Sequence, residues 1–215
     1  MTERLDLFST PILMASPPNA EDLNVRLLES ISAHRAEHPG IDRSNIGGWH
    51  STTDMAFWGG EPAQTLAAFA VKEVSAHMVD VAKAGKRQFN WGIEMWANVN
   101  APGDANQLHC HPAAYWSGVY YPDPGGAEID GNGGELLLED PRYPLAYMTV
   151  PELLFRNADG EPVYSQFALR PVAGRIVLFP SWLRHSVRPH EGDRERVSIA
   201  INLILTGAKA EKGEA

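Results

Sequence analysis

From Phe89 onward the apolar residues stop recurring at helical spacing and instead alternate or run in short bursts, and this switch restricts the fold more than any other feature of the chain. Such bursts, bounded by Gly, Pro, Asn and Asp, read as strands over 89–99, 114–121, 134–139, 166–169, 175–179, 186–189 and 196–205. Turn signals separate them, among them Ala101-Pro102-Gly103-Asp104, Pro124-Gly125-Gly126 and Glu191-Gly192-Asp193. Many short strands with this punctuation predict a sandwich or jelly roll. Before Phe89 the pattern is helical. Leu23, Leu27, Leu28 and Ile31 mark one helix from Ala20 to about His38, and Leu66, Phe69, Ala70, Val74, His77, Met78 and Val81 mark a second over 62–83, closed by Gly85. A Gly- and Ser-rich loop over 40–60 joins them. The predicted class is α+β, mainly β: residues 1–88 form a helical part packed on a β core over 89–206, with a flexible tail over 207–215, all within one structural domain.

Charge and cysteine content narrow the environment. The 215 residues carry a net charge of -9, which disfavours a nucleic-acid partner because an acidic surface repels phosphate. The single cysteine, Cys110, allows no internal disulfide and fits a reducing compartment. No signal-peptide pattern opens the sequence and no apolar run is long enough to span a bilayer, so no membrane association is expected and the location expected is cytoplasmic. A homodimer is the expectation from base rates.

Three segments carry chemistry. In His109-Cys110-His111-Pro112 the two histidines, two apart in an extended segment, point the same way and can face one metal ion. A hydrogen-bonded histidine pair would give the same text. Gly174-Arg-Ile-Val-Leu-Phe-Pro180 is a strand broken by proline, and His185 follows just beyond the turn, where it can be aimed back at that pair. Arg196-Val-Ser198-Ile-Ala-Ile-Asn202 alternates like a half-buried strand with Arg196, Ser198, Ala200 and Asn202 on one face. An inward arginine needs an anion, either a bound carboxylate or a protein one.

Together with Ser117-Gly-Val-Tyr-Tyr121 and Asp140-Pro-Arg142, these segments resemble the iron(II)/2-oxoglutarate-dependent oxygenases, most closely the prolyl-hydroxylase-like branch and a bacterial oxygenase group within it. The resemblance covers about half the chain, from Trp96 to Leu205. It implies a double-stranded β-helix braced by the N-terminal helices, a dioxygenase activity, and Fe(II) and 2-oxoglutarate as cofactors. It implies His109, His111 and His185 as metal ligands, Arg196 with Ser198 as the clamp on the far carboxylate of 2-oxoglutarate, and Tyr120 or Tyr121 beside it. Arg142 and Trp182 are the substrate-side candidates, and both a small-molecule and a peptidyl substrate are compatible. The chain departs from the family pattern at His111, where a carboxylate ligand is usual, which leaves room for a nearby carboxylate such as Asp104 to help. Two rivals stand beside this reading. Gly103 ahead of His109-x-His111, and Gly174 and Pro180 ahead of His185, resemble a cupin, although Tyr115, Trp116, Trp182 and Pro189 stand at the wrong places and Arg196 has no cupin role. The other is a barrel that binds ligands without turnover.

Overall fold

The computed structural model of the protein describes residues 7–79, 81, 89–142, 150 and 152–206. In chain order they form β1 (Leu13–Ala15), α1 (Ala20–Glu37), β2 (Asn45–Ile46), β3 (Trp49–His50), α2 (Met55–Trp58), α3 (Gly60–Ala76), β4 (Asn90–Asn100), β5 (Ala105–His109), β6 (Trp116–Asp123), β7 (Leu136–Glu139), β8 (Gln166–Leu169), β9 (Ile176–Pro180), β10 (His185–Val187) and β11 (Arg196–Thr206). The strands build a six-stranded sheet in the order β1-β9-β6-β11-β4-β3 and a five-stranded sheet in the order β2-β5-β10-β7-β8, every neighbouring pair antiparallel. This is the expected double-stranded β-helix of the jelly-roll kind, with helices against one sheet.

Alternation along β11 fixes what each face of the large sheet does. Val197, Ile199, Ile201 and Leu203 point outward and pack with Leu23, Leu27 and Ile31 of α1 and with Leu66, Ala70 and Val74 of α3. The residues between them, Arg196, Ser198, Ala200 and Asn202, point inward and line a cavity between the sheets. Beside that cavity lies a smaller apolar cluster of Tyr121, Leu136, Leu138, Val177, Phe179 and Leu183.

Several local expectations are corrected. The loop over 40–60 contains β2, β3 and α2, elements too short to leave a periodicity signal. Trp49 and His50 are buried there because β3 pairs with β4. The second helix begins at Gly60 and ends at Ala76, with His77 as its C-cap. His77, which the helical spacing groups with Leu66, Ala70 and Val74, is exposed, and its Nδ1 lies 2.9 Å from the Glu73 carbonyl. The Gly85 stop and the 207–215 tail lie outside the described residues. His190, next to the Glu191-Gly192-Asp193 turn, is fully buried, with Nε2 2.7 Å from the Arg194 carbonyl.

Candidate metal centre

The three histidines are brought together by strand pairing and one loop contact. His109 ends β5 and His185 begins β10, and the two are cross-strand partners, so their side chains share the inward face. His111 follows two residues later, tied down by its backbone N–H, which donates to the Ser181 carbonyl at 2.9 Å in the turn before His185. Their ligand atoms all lie within 4.8 Å of one another. His109 Nδ1 lies 2.7 Å from the Gln107 carbonyl and His185 Nδ1 2.9 Å from that of Leu183. A carbonyl only accepts, so both rings carry their proton on Nδ1 and present an Nε2 lone pair. His111 Nδ1 instead lies 3.5 Å from Asn202 Nδ2.

The site holds its imidazoles neutral. Burial, with His109 close by, pushes His111 down to about 4. His185 is pushed down to about 3 by burial first and then by its histidine neighbours. His109 is lowered too, by burial, against the pull of the Gln107 carbonyl. Neutral imidazole is the metal-binding form.

The same cavity, of about 50 Å³, holds a single formal charge in its lining: Arg196. That side chain is 1% exposed. Its Nη1 donates to Ser198 Oγ at 3.3 Å and Asn100 Oδ1 at 3.4 Å, while Nε and Nη2 have no hydrogen-bond partner among the described residues. The guanidinium carbon stands 5.2 Å from the centroid of the Tyr121 ring, and Tyr121 Oη is likewise buried without a partner. Burial raises the Tyr121 phenol, so it is present as a donor.

The candidates named from the sequence separate in space. His109, His111, His185, Arg196 and Ser198 line one cavity, and Tyr121 flanks it. Tyr120 is not brought there: it faces α1 and its hydroxyl donates to Asn24 Oδ1 at 2.6 Å. Trp182 is 53% exposed in the turn before His185. Arg142 donates through Nε to Asp140 Oδ1 at 2.9 Å, and this guanidinium holds the Asp140 carboxyl below its usual range. Asp104 is no neighbour of the triad: its Oδ2 accepts from the Ala101 N–H at 2.7 Å and closes a turn outside the cavity lining. Sequence reasoning missed Ser44, Asn98, Asn106 and Ser117 in the lining, and it placed Asn202 on the inward face without giving it a partner. Asn98 could have been found, because β4 alternates as β11 does.

Residues 94–202 match the sequence family described as "Putative 2OG-Fe(II) oxygenase", half the chain. No curated protein matches the sequence. Solved structures share the fold. A prolyl-4-hydroxylase from Pseudomonas putida superposes with a TM-score of 0.60 at 20% identity, covering 91% of this chain and 93% of its own. A prolyl hydroxylase from Trichoplax adhaerens, in complex with a peptide of the hypoxia inducible factor oxygen degradation domain, gives 0.59 at 14% identity over 90% and 83%. HygX from Streptomyces hygroscopicus, with nickel and 2-oxoglutarate bound, gives 0.58 at 11% identity over 91% and 83%. No helix among the described residues is long and apolar enough to cross a membrane.

Proposed function

The chain belongs to the 2OG-Fe(II) oxygenase family, and from that membership we propose that His109, His111 and His185 hold its iron(II) while Arg196, Ser198 and Tyr121 receive the far carboxylate of 2-oxoglutarate. The protein is a 2-oxoglutarate-dependent oxygenase, with iron(II) and 2-oxoglutarate as cofactors. The observation that carries the residue assignment is the buried Arg196 guanidinium, two of its nitrogens unpartnered, in the cavity that holds the triad. A fully buried cation costs several kcal/mol unless an anion meets it. The far carboxylate of bound 2-oxoglutarate would satisfy that need, with the Tyr121 hydroxyl as a further donor.

The donor set fits the metal. Three imidazoles bring ligand atoms within 4.8 Å of one another, and two have their tautomers locked by backbone carbonyls. Iron(II) with 2-oxoglutarate supplies the dioxygen chemistry of the family, oxidative decarboxylation coupled to hydroxylation of a substrate C–H bond. This chain's own residues position and shield: Phe179, Leu136 and Val187 wall the cavity with apolar surface, and Trp96 and Ser44 complete it near the histidines.

For the substrate we favour the groove beyond His185. Register places His185 opposite Leu138, and Leu138 opposite Phe167, so one face runs from the metal centre across β7 to β8. There it opens into a groove of about 790 Å³ lined by Leu138, Leu183, Phe155, Tyr164, Phe167 and Arg142. Its size and aromatic lining suit a peptidyl segment or a small molecule with apolar bulk, with Arg142 at the rim and Trp182 at the turn leading into it. A cytoplasmic location remains part of the proposal.

Anaerobic iron(II) titration with and without 2-oxoglutarate tests the assignment. The expected result is a visible charge-transfer band that needs both components and disappears in Arg196→Ala. Iron binding with no band on adding 2-oxoglutarate overturns the assignment and favours a cupin-like use of the barrel.

A further inference from the structure

Resting on the reading that the triad holds the metal, we propose that Glu94 is the carboxylate of this centre, acting from outside the ligand set: Asn202 holds it beside His111, where its charge offsets part of the positive charge that three neutral imidazoles leave on the ion. The β4–β11 register sets Glu94 opposite Asn202, so it continues the inward row of Trp96 and Asn98. Ser117 Oγ donates to Asn202 Oδ1 at 2.8 Å and fixes the amide. Its Nδ2 is thereby turned toward Glu94 Oε2 and His111 Nδ1, each at 3.5 Å. His111 is also the ligand whose Nδ1 meets no backbone carbonyl, among the described residues. The unusual ligand and the rim carboxylate therefore meet on one amide.

Charge balance says why this pairing matters. A divalent ion, the Arg196 cation and a dicarboxylate sum to one positive charge in a cavity whose lining holds no Asp or Glu. An aspartate in place of His111 would cancel it. Glu94 lies at the exposed end of the row, linked to His111 through the Asn202 amide.

The test is cobalt(II) binding to the metal-free protein, read by the ligand-field absorption of the ion and by competition with a chelator. Glu94→Gln keeps the acceptor for Asn202 and removes the charge. It should weaken cobalt binding about tenfold, in the range of outer partners of metal ligands, shift the ligand-field band, and leave the melting temperature of the metal-free protein unchanged. Glu94→Asp should recover part of the affinity, and Glu29→Gln, on the exposed side of α1, none of the loss. In an Asn202→Ala background Glu94→Gln should cost less than it does alone, because the amide that holds it is gone. Affinity within twofold of wild type in Glu94→Gln, or full additivity with Asn202→Ala, overturns the proposal. If wild type binds no cobalt, or binds it equally well in His109→Ala, the triad reading fails instead.

Discussion

The two faces of β11 differ by a single step along the chain and do opposite work. The outward row of Val197, Ile199, Ile201 and Leu203 is buried against α1 and α3 and draws its energy from removing apolar surface from water. In the inward row Arg196, Ser198 and Asn202 are buried too, but they bring a charge, a hydroxyl and an amide around a cavity. One face stabilises the sheet, and the other draws on that stability to keep polar groups ready for a ligand. A strand thus holds a functional site rigidly because its other face is well packed.

Variants on each face should separate these roles. The largest effect is expected from His185→Ala, which removes the ligand at the start of β10: metal affinity should drop by at least about 100-fold, since outer partners alone are worth 10–100-fold, with the metal-free fold intact by circular dichroism. Arg196→Met comes next. It should weaken 2-oxoglutarate binding by about 2–5 kcal/mol, the usual loss when one member of a buried charge pair is truncated. The ligand-free protein should become more stable, by about 1–4 kcal/mol, as when buried charges give way to hydrophobes. A less stable Arg196→Met protein would sink the contrast. On the outward face, Ile199→Ala should cost about 2–5 kcal/mol in denaturant titration while metal affinity stays unchanged.

Acid probes the inward face, where His111 and His185 are pushed furthest down. His185 titrates at about 3 in the folded protein, against an ordinary value of 6.5. The unfolded chain therefore takes up the proton first as pH falls, so stability is full above about pH 6.5, declines below it, and stops declining near the folded value. His185 alone should contribute about 1.4 kcal/mol per pH unit to the slope in the metal-free protein, and His111 and His109, lowered by burial as well, add to it in the same direction. His185→Leu should remove that share of the slope and Ile199→Ala should leave the slope unchanged. The smallest effect comes from the adjacent tyrosines. Tyr120→Phe should cost about 1 kcal/mol of stability, the worth of its bond to Asn24, with no change in 2-oxoglutarate affinity. Tyr121→Phe should do the reverse.

How far the sequence reveals this arrangement depends on the range of the cause. His109-x-His111 and the inward parity of Arg196 and Ser198 follow from two-residue alternation, a local property. β8 is legible for the same reason, bounded by turns on both sides. β5 is not, because Asn106, Gln107 and His109 give it no apolar rhythm; its inward side chains face the polar cavity and its metal ligands. The choice between Tyr120 and Tyr121 was open because it depends on the register of β6 against β11, which shifts between Val197 and Ile199. Glu94 is invisible as a partner of His111 for that reason too, since only the pairing of β4, β6 and β11 brings Glu94, Ser117 and Asn202 together. His190 reads as a loop residue, yet Gly103 and Asp104 of another turn hold its backbone from both sides.

The cross-strand pairing of His109 with His185 has a mechanical consequence. β10 is only three residues long, and its pairing with β5 slips between His185 and Val187. A cation seated on both histidines would rivet the middle of the five-stranded sheet at the point where its backbone register slips. Ligand occupancy then becomes a brace as well as a reagent: at a hundred times its dissociation constant the ion adds about 2.7 kcal/mol to the folded state, concentrated at the seam that also gives onto the groove beyond His185. A catalyst stripped of its ion is, by this geometry, a barrel with its clasp undone.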